Sequence, residues 1–245
     1  MKPTSLSKSP SLFSKFLTGT ILAAGLAASA QAITIYIDFG ADATITTASG
    51  WNNVTSTLGA APNTTPLPNM VSSTGSTTGI SLSIVNRFNG ANTMGTSGGL
   101  GSYPGTATND SLYGNTESFG SGANMFPSFR LGGLVVGQTY DFKFFASRTG
   151  VTGSPPDNRE TQYTLAGATS GSVTLNATNN TTNTVTYSLT PNASGEILIS
   201  IGPGANNNNS NHFTYLNVLE INTVPEPGSV ALLGLGGLLL MRRRR

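Results

Sequence analysis

Along the middle of the chain, hydrophobic and polar positions alternate with a period of two. Tyr140, Phe142 and Phe144 are interleaved with Asp141 and Lys143, the pattern of a strand with one buried and one exposed face. Ile197, Ile199 and Ile201 are interleaved with Leu198 and Ser200, which suits a more fully covered strand. Short runs rich in Ile, Val, Thr, Tyr and Phe, separated by Gly, Asn and Pro clusters, predict strands at 33–39, 80–86, 140–147, 161–166, 172–176, 184–190, 196–201 and 213–221. No window has helical spacing over a useful length. The prediction is an all-β domain, a sandwich of two sheets. Thr, Ser, Asn and Gly dominate 41–79 and 89–122, where long surface loops with isolated strands are expected.

The two ends follow a different pattern. Lys2, Lys8 and Lys15 precede an apolar stretch at 16–28, and Ala30-Gln31-Ala32 then supplies the small-x-small sequence that signal peptidase requires. Residues 1–32 are therefore expected to be a cleavable export signal, cut after Ala32. At the other end, Val224-Pro225-Glu226-Pro227 is too proline-rich for a helix or a central strand. It is followed by an apolar run at 230–241 and by Arg242, Arg243, Arg244 and Arg245. The run partitions into lipid, and the arginines stop it on the cytoplasmic side. It is short for a full span and is interrupted by Gly234, Gly236 and Gly237, so a short hydrophobic helix acting as a transient anchor is expected. The predicted organisation is 1–32 export signal, 33–223 β-sandwich and 224–245 sorting segment.

Charge changes the picture only once the ends are set aside. The chain has a formal charge of +2, but residues 33–223 hold five basic against nine acidic side chains. The basicity belongs to the addresses, and a nucleic-acid surface, which needs clustered Lys and Arg, is not expected. The chain has no cysteine, which excludes thiol catalysis, Cys-ligated zinc and disulfides, and His212 is its one histidine.

Pro225-Glu226-Pro227, the apolar run and the terminal arginines resemble the PEP-CTERM sorting signal of Gram-negative bacteria that make exopolysaccharide. The resemblance implies recognition of Pro225, Glu226 and Pro227 by an exosortase-type peptidase. It also implies passage through the inner membrane and release to the cell surface or matrix. Gly133-Leu134-Val135-Val136-Gly137-Gln138-Thr139-Tyr140, Asp157-Asn158-Arg159-Glu160 and Tyr215-Leu216-Asn217-Val218-Leu219-Glu220-Ile221 resemble jelly-roll domains of the galactose-binding-like kind. That resemblance implies a jelly-roll sandwich.

Several residues are candidates for chemistry. Arg148, Asp157, Arg159 and Glu160 flank one predicted loop, where guanidinium and carboxylate groups could bond sugar hydroxyls or simply brace the loop. Trp51 is either a stacking platform for a sugar or a core residue, and Tyr103 and Tyr113 are similar stacking candidates. Asp38 and Glu220 fall in the first and last predicted strands, where related carbohydrate-binding domains hold a structural calcium; their hard oxygens suit that ion. No other cofactor is expected. His212 has no Gly-x-Ser-x-Gly elbow to serve and is read as a loop residue. Asn53, Asn63 and Asn180 lie in glycosylation-type sequons that follow from the composition. Three functions remain: a non-enzymatic surface protein that binds polysaccharide, a structural or adhesive envelope protein, and a glycan hydrolase using Asp141, Asp157 and Glu160. The first is preferred.

Overall fold

The computed structural model describes residues 32–120 and 122–224. Its strands are β1 (Thr34–Gly40), β2 (Trp51–Thr55), β3 (Thr64–Leu67), β4 (Ser81–Asn86), β5 (Gly90–Asn92), β6 (Ser111–Gly114) and β7 (Ser128–Gly132). They continue as β8 (Tyr140–Phe145), β9 (Glu160–Ala166), β10 (Ser170–Asn176), β11 (Val185–Leu189), β12 (Ile197–Pro203), β13 (Thr214–Leu216) and β14 (Val218–Thr223). Single helical turns at Ser56–Gly59 and Gly105–Thr108 interrupt the connections.

Two sheets face one another. One has the order β11-β8-β14-β1-β2, the other β10-β9-β12-β7-β4-β3, and a small sheet, β13-β6-β5, closes one side. Pairing is antiparallel except between β1 and β2. The alternation read from the sequence explains the core. Ile35, Ile37, Phe142, Phe144, Leu219 and Ile221 point inward from the first sheet, and Leu82, Phe129, Leu131, Tyr163, Leu165 and Ile199 point inward from the second. The rings of Phe144 and Tyr163 lie parallel across the gap, 4.3 Å apart. Burying such a ring contributes about 1.5–3 kcal/mol, so this contact fixes the two sheets face to face. The all-β sandwich is as expected; the C-terminal helix, Ala30, Pro225, Glu226, Pro227 and the four terminal arginines lie outside the described residues. Among the described residues no helix is long and apolar enough to cross a membrane.

The turn before β8 follows the chemistry of its sequence. Gly133 and Gly137 take φ of 77° and 87°, a region open to glycine at little cost. Leu134, between them, and Tyr140, just after, are buried, and the Tyr140 hydroxyl accepts from Val135 N at 3.0 Å.

Two expectations are corrected. The predicted strand 213–221 is broken at Asn217, which is fully buried. Its Nδ2 donates to the carbonyls of Thr108 and Asp110, and its Oδ1 accepts from Ser147 N at 2.8 Å. An amide satisfied in three directions holds the chain where it passes from the small sheet to the large one. The second correction is β7, unassigned in the sequence, which lies between β12 and β4 in the six-stranded sheet. Arg130 is its one exposed position.

The ends of the described chain meet. Thr223 N donates to Ile33 O at 3.0 Å and Ile33 N donates to Thr223 Oγ1 at 2.8 Å. This pole, where β1 starts and β14 finishes, we call the near pole. The loops after β8 and before β9 lie at the opposite, far pole.

Candidate functional site

At the far pole, the chain leaving β8 and the chain entering β9 are tied through one segment: Arg148 N donates to Ala177 O, and Ala177 N donates to Arg159 O. This brings Arg148, Asp157 and Arg159 together. Arg159 Nε lies 3.2 Å from Asp157 Oδ1, and Nη2 lies 3.2 Å from Oδ2, so the fork grips the carboxylate with two donors. Arg159 Nη1 donates to the Tyr215 hydroxyl at 2.9 Å. Asn209 Nδ2 adds a further donor to Asp157 Oδ2. Arg148 Nε is buried without a hydrogen-bond partner. Burial alone would raise the Asp157 pKa, but the Arg159 and Asn209 hydrogen bonds and the two guanidinium charges hold it below the usual carboxylate range.

An aromatic surface adjoins this array. The Arg159 guanidinium lies 5.8 Å from the centre of the Phe213 ring. Phe213 packs edge-on against Phe119 at 4.8 Å and against Tyr113 at 5.7 Å. Phe119 is 46% exposed. His212, at the rim, takes a φ of 46° and shares a 3.0 Å hydrogen bond with Thr116 through Nδ1. It braces a turn.

Two sequence candidates do not join the site. Glu160 accepts from Asn206 N at 3.0 Å and Asn206 Nδ2 at 3.1 Å, which fixes the following loop instead. Trp51 stacks on Tyr36 at 5.0 Å and meets Tyr103 edge-on at 6.1 Å, on the outer face of the five-stranded sheet. It is a half-buried packing residue. Tyr103 is buried, and its hydroxyl donates to Glu220 at 2.5 Å beside a groove of about 330 Å³ that Lys143, Thr182 and Thr184 also line. Asp141 meets Ser188 at the opposite end of β8 from Arg148. Asn209, Tyr215, Phe213 and Phe119 were not singled out in the sequence. The run of asparagines at 206–209 was a visible signal, but its partners come from 157–160, about fifty positions away.

The strands of Asp38 and Glu220 lie side by side, as expected, but the two carboxylates have separate partners. Glu220 spends its oxygens on Tyr103, Lys143 at 3.4 Å and Asn222 at 2.8 Å. Burial opposes its ionisation, yet these partners hold its pKa below the ordinary value. Asp38 instead neighbours Asp110. Asp38 Oδ2 accepts from Thr46 N at 3.1 Å, and Asp110 Oδ2 accepts from Ala41 N at 2.6 Å and from the Thr44 hydroxyl. The Oδ1 atom of each is buried without a partner. Burial, reinforced by the Asp110 charge, lifts the Asp38 pKa to about 7, against the lowering effect of Thr46. Burial likewise raises Asp110. Asp38 and Glu220 therefore do not fit a shared calcium ion. Among the described residues no group of three acidic or histidine side chains surrounds a metal position.

Among curated proteins, none matches this chain. The sandwich is similar to a chain in the crystal structure of plant peptide RALF23 in complex with FER and LLG2, at 14% identity and a TM-score of 0.38, covering 54% of this chain and 36% of that one. It is also similar to the ANXUR1 extracellular domain from Arabidopsis thaliana, at 12% identity and a TM-score of 0.33, covering 51% of this chain and 33% of that one. Both likenesses thus span about a third of the other chain's length. Residues 223–245 match the PEP-CTERM protein-sorting motif, which marks this as an exported protein, sorted through an exosortase and held transiently at the membrane by its C-terminal segment.

Proposed function

We propose that the exported domain is a non-enzymatic polysaccharide-binding module of the cell surface or matrix, with its site at the far pole. The observation that carries this reading is the Asp157–Arg159 fork lying near Phe213, which in turn packs against the exposed ring of Phe119. A sugar offers hydroxyls at its edge and an apolar face of C–H groups. A fixed guanidinium–carboxylate array suits the first, and an aromatic ring suits the second. Arg148 extends the polar side, the buried Asn209 and Tyr215 brace Asp157 and Arg159 from within, and Phe213 and Tyr113 support the ring. The three acids considered for hydrolysis support binding over catalysis. Asp157 is kept ionised by Arg159, Glu160 is engaged with Asn206, and Asp141 lies toward the near pole. A general acid needs a raised pKa and a free proton aimed at the glycosidic oxygen.

The experiment is a glycan array, followed by calorimetry, on the exported chain and its Phe119→Ala and Asp157→Asn variants. Saturable binding that both substitutions abolish supports the reading. A chain that retains no glycan is instead the structural envelope protein, with Arg159 as a loop brace. Release of reducing sugar, lost on Asp157→Asn, would make the protein a hydrolase.

A further inference from the structure

At the near pole, Val135 and Val136 are 65% and 58% exposed, the most exposed large hydrophobic side chains among the described residues, and Ile33 is 38% exposed. The two valines sit on a braced turn. Leu134 beneath them is buried, Leu134 N donates to Gly195 O at 3.0 Å, and Val135 N donates to the Tyr140 hydroxyl. Their outward position is therefore built in, and residues 133–139 carry no charge.

The same turn grips the chain as it leaves the domain. Val224 N donates to Thr139 O at 3.0 Å, and Gln138 Nε2 donates to Val224 O at 2.5 Å. Beyond Val224, only Pro225 to Ser229 precede the apolar run of the sorting segment at 230–241. That is six Cα steps, at most about 20 Å of extended chain. Val136 is three residues from Thr139, at most about 11 Å along the chain. While the apolar run is in a bilayer, the valine turn is held within reach of its surface, where polar headgroups occupy several ångströms on each side of the hydrocarbon.

We infer that the Val135–Val136 turn, with Ile33 at the same pole, is a membrane-docking surface whose occupant is the outer leaflet that holds the sorting tail. The two valines enter the boundary between headgroups and acyl chains, as uncharged aliphatic side chains on a rigid turn favour. The near pole then rests on the lipid and the far pole points away from it. This rests on the sorting tail and stands or falls independently of polysaccharide binding.

The test uses the full chain, whose lack of cysteine permits single-site labelling. Val136→Cys and, at the exposed far-pole position Ser210→Cys, each carry an environment-sensitive fluorophore. The chain is bound through its tail to floated vesicles of mixed zwitterionic and anionic phospholipid containing shallow nitroxide quenchers. The expected result is blue-shifted emission with loss of intensity at position 136, and water-like, unquenched emission at 210. Water-like emission at 136 overturns the inference, and equal quenching at both positions overturns it as well, since the domain then has no preferred docking pole. Val135→Ser combined with a label at Ile33→Cys should reduce the quenching at 33; unchanged quenching there would remove the valines from the contact.

Discussion

Asp110 lies directly over Gly40: a Cβ on Gly40 would stand 2.5 and 2.6 Å from the two carboxylate oxygens. The last residue of β1 is thus a seat for a buried side chain from the segment before β6. That carboxylate in turn holds Ala41 and Thr44 at the start of the following loop.

Gly40→Ala should therefore unseat Asp110 and the loop it holds. Overpacking of this kind costs about 1–3 kcal/mol. Urea denaturation should show the midpoint falling with an unchanged slope. Because the two side chains share one space, Gly40→Ala combined with Asp110→Ser should cost less than the sum of the single substitutions.

Asp38 gives stability a dependence on pH with a sign opposite to that of most carboxylates. Its folded pKa is raised to about 7, against about 4 in an unfolded chain. Between those values the folded state binds more protons than the unfolded state, so the Asp38 contribution is complete below about pH 4 and is lost as pH rises through 7. The loss is on the order of 3–4 kcal/mol at most. Asp38→Asn, which mimics the neutral acid, should be more stable than the native chain at pH 8 and no more stable at pH 4. Thermal melts of both proteins at the two values check this. A calcium-dependent rise in the native melting temperature at pH 8, absent in Asp38→Asn, would show that a cation neutralises the pair instead of a proton.

Asn217→Ala should be among the costlier polar substitutions. It leaves two carbonyls and one N–H buried without their partner, and each such group costs about 1–3 kcal/mol. A fall in stability of about 3 kcal/mol or more is expected by chemical denaturation. Asn217→Asp should not rescue it, because a carboxylate cannot donate to the carbonyls of Thr108 and Asp110.

Phe119→Ala should separate binding from folding. The ring is 46% exposed, so its removal should change stability by no more than about 1 kcal/mol, while glycan retention is lost. Arg159→Ala should do both, since it frees Asp157 and removes the donor to Tyr215.

The strands that could be read in the sequence, β1, β4 and β8 to β12, have large apolar inward positions; β7 has them too, in Phe129 and Leu131, but its five residues offer only two such positions around Arg130, too few to read. In β2 the inward positions include Asn52, whose side chain donates to Tyr36 O and Val71 O and so acts as part of the sheet. In β6 Ser111 is fully buried. A strand that buries hydroxyls and amides has the composition of a loop, and only its partners reveal it. Residues near one another in sequence, such as Asp157 and Arg159, could be grouped without a structure. Asp110 could not be matched to Asp38, nor Asn209 to Asp157, because sheet topology alone brings those segments together. Glu160 was grouped with Asp157 by proximity, yet as the first residue of β9 it turns to the 204–206 loop.

The placement of β14 has a mechanical consequence. It is the middle strand of its sheet, bonded antiparallel to β8 on one side and to β1 on the other. Tension arriving through Val224 runs along the strand, so both ladders are loaded in shear, all rungs at once, where a strand at the sheet edge would peel. A load between the tail and a ligand gripped at Arg159, next to the first residue of β9, would enter through one sheet and leave through the other, so the core packed between them would carry it too.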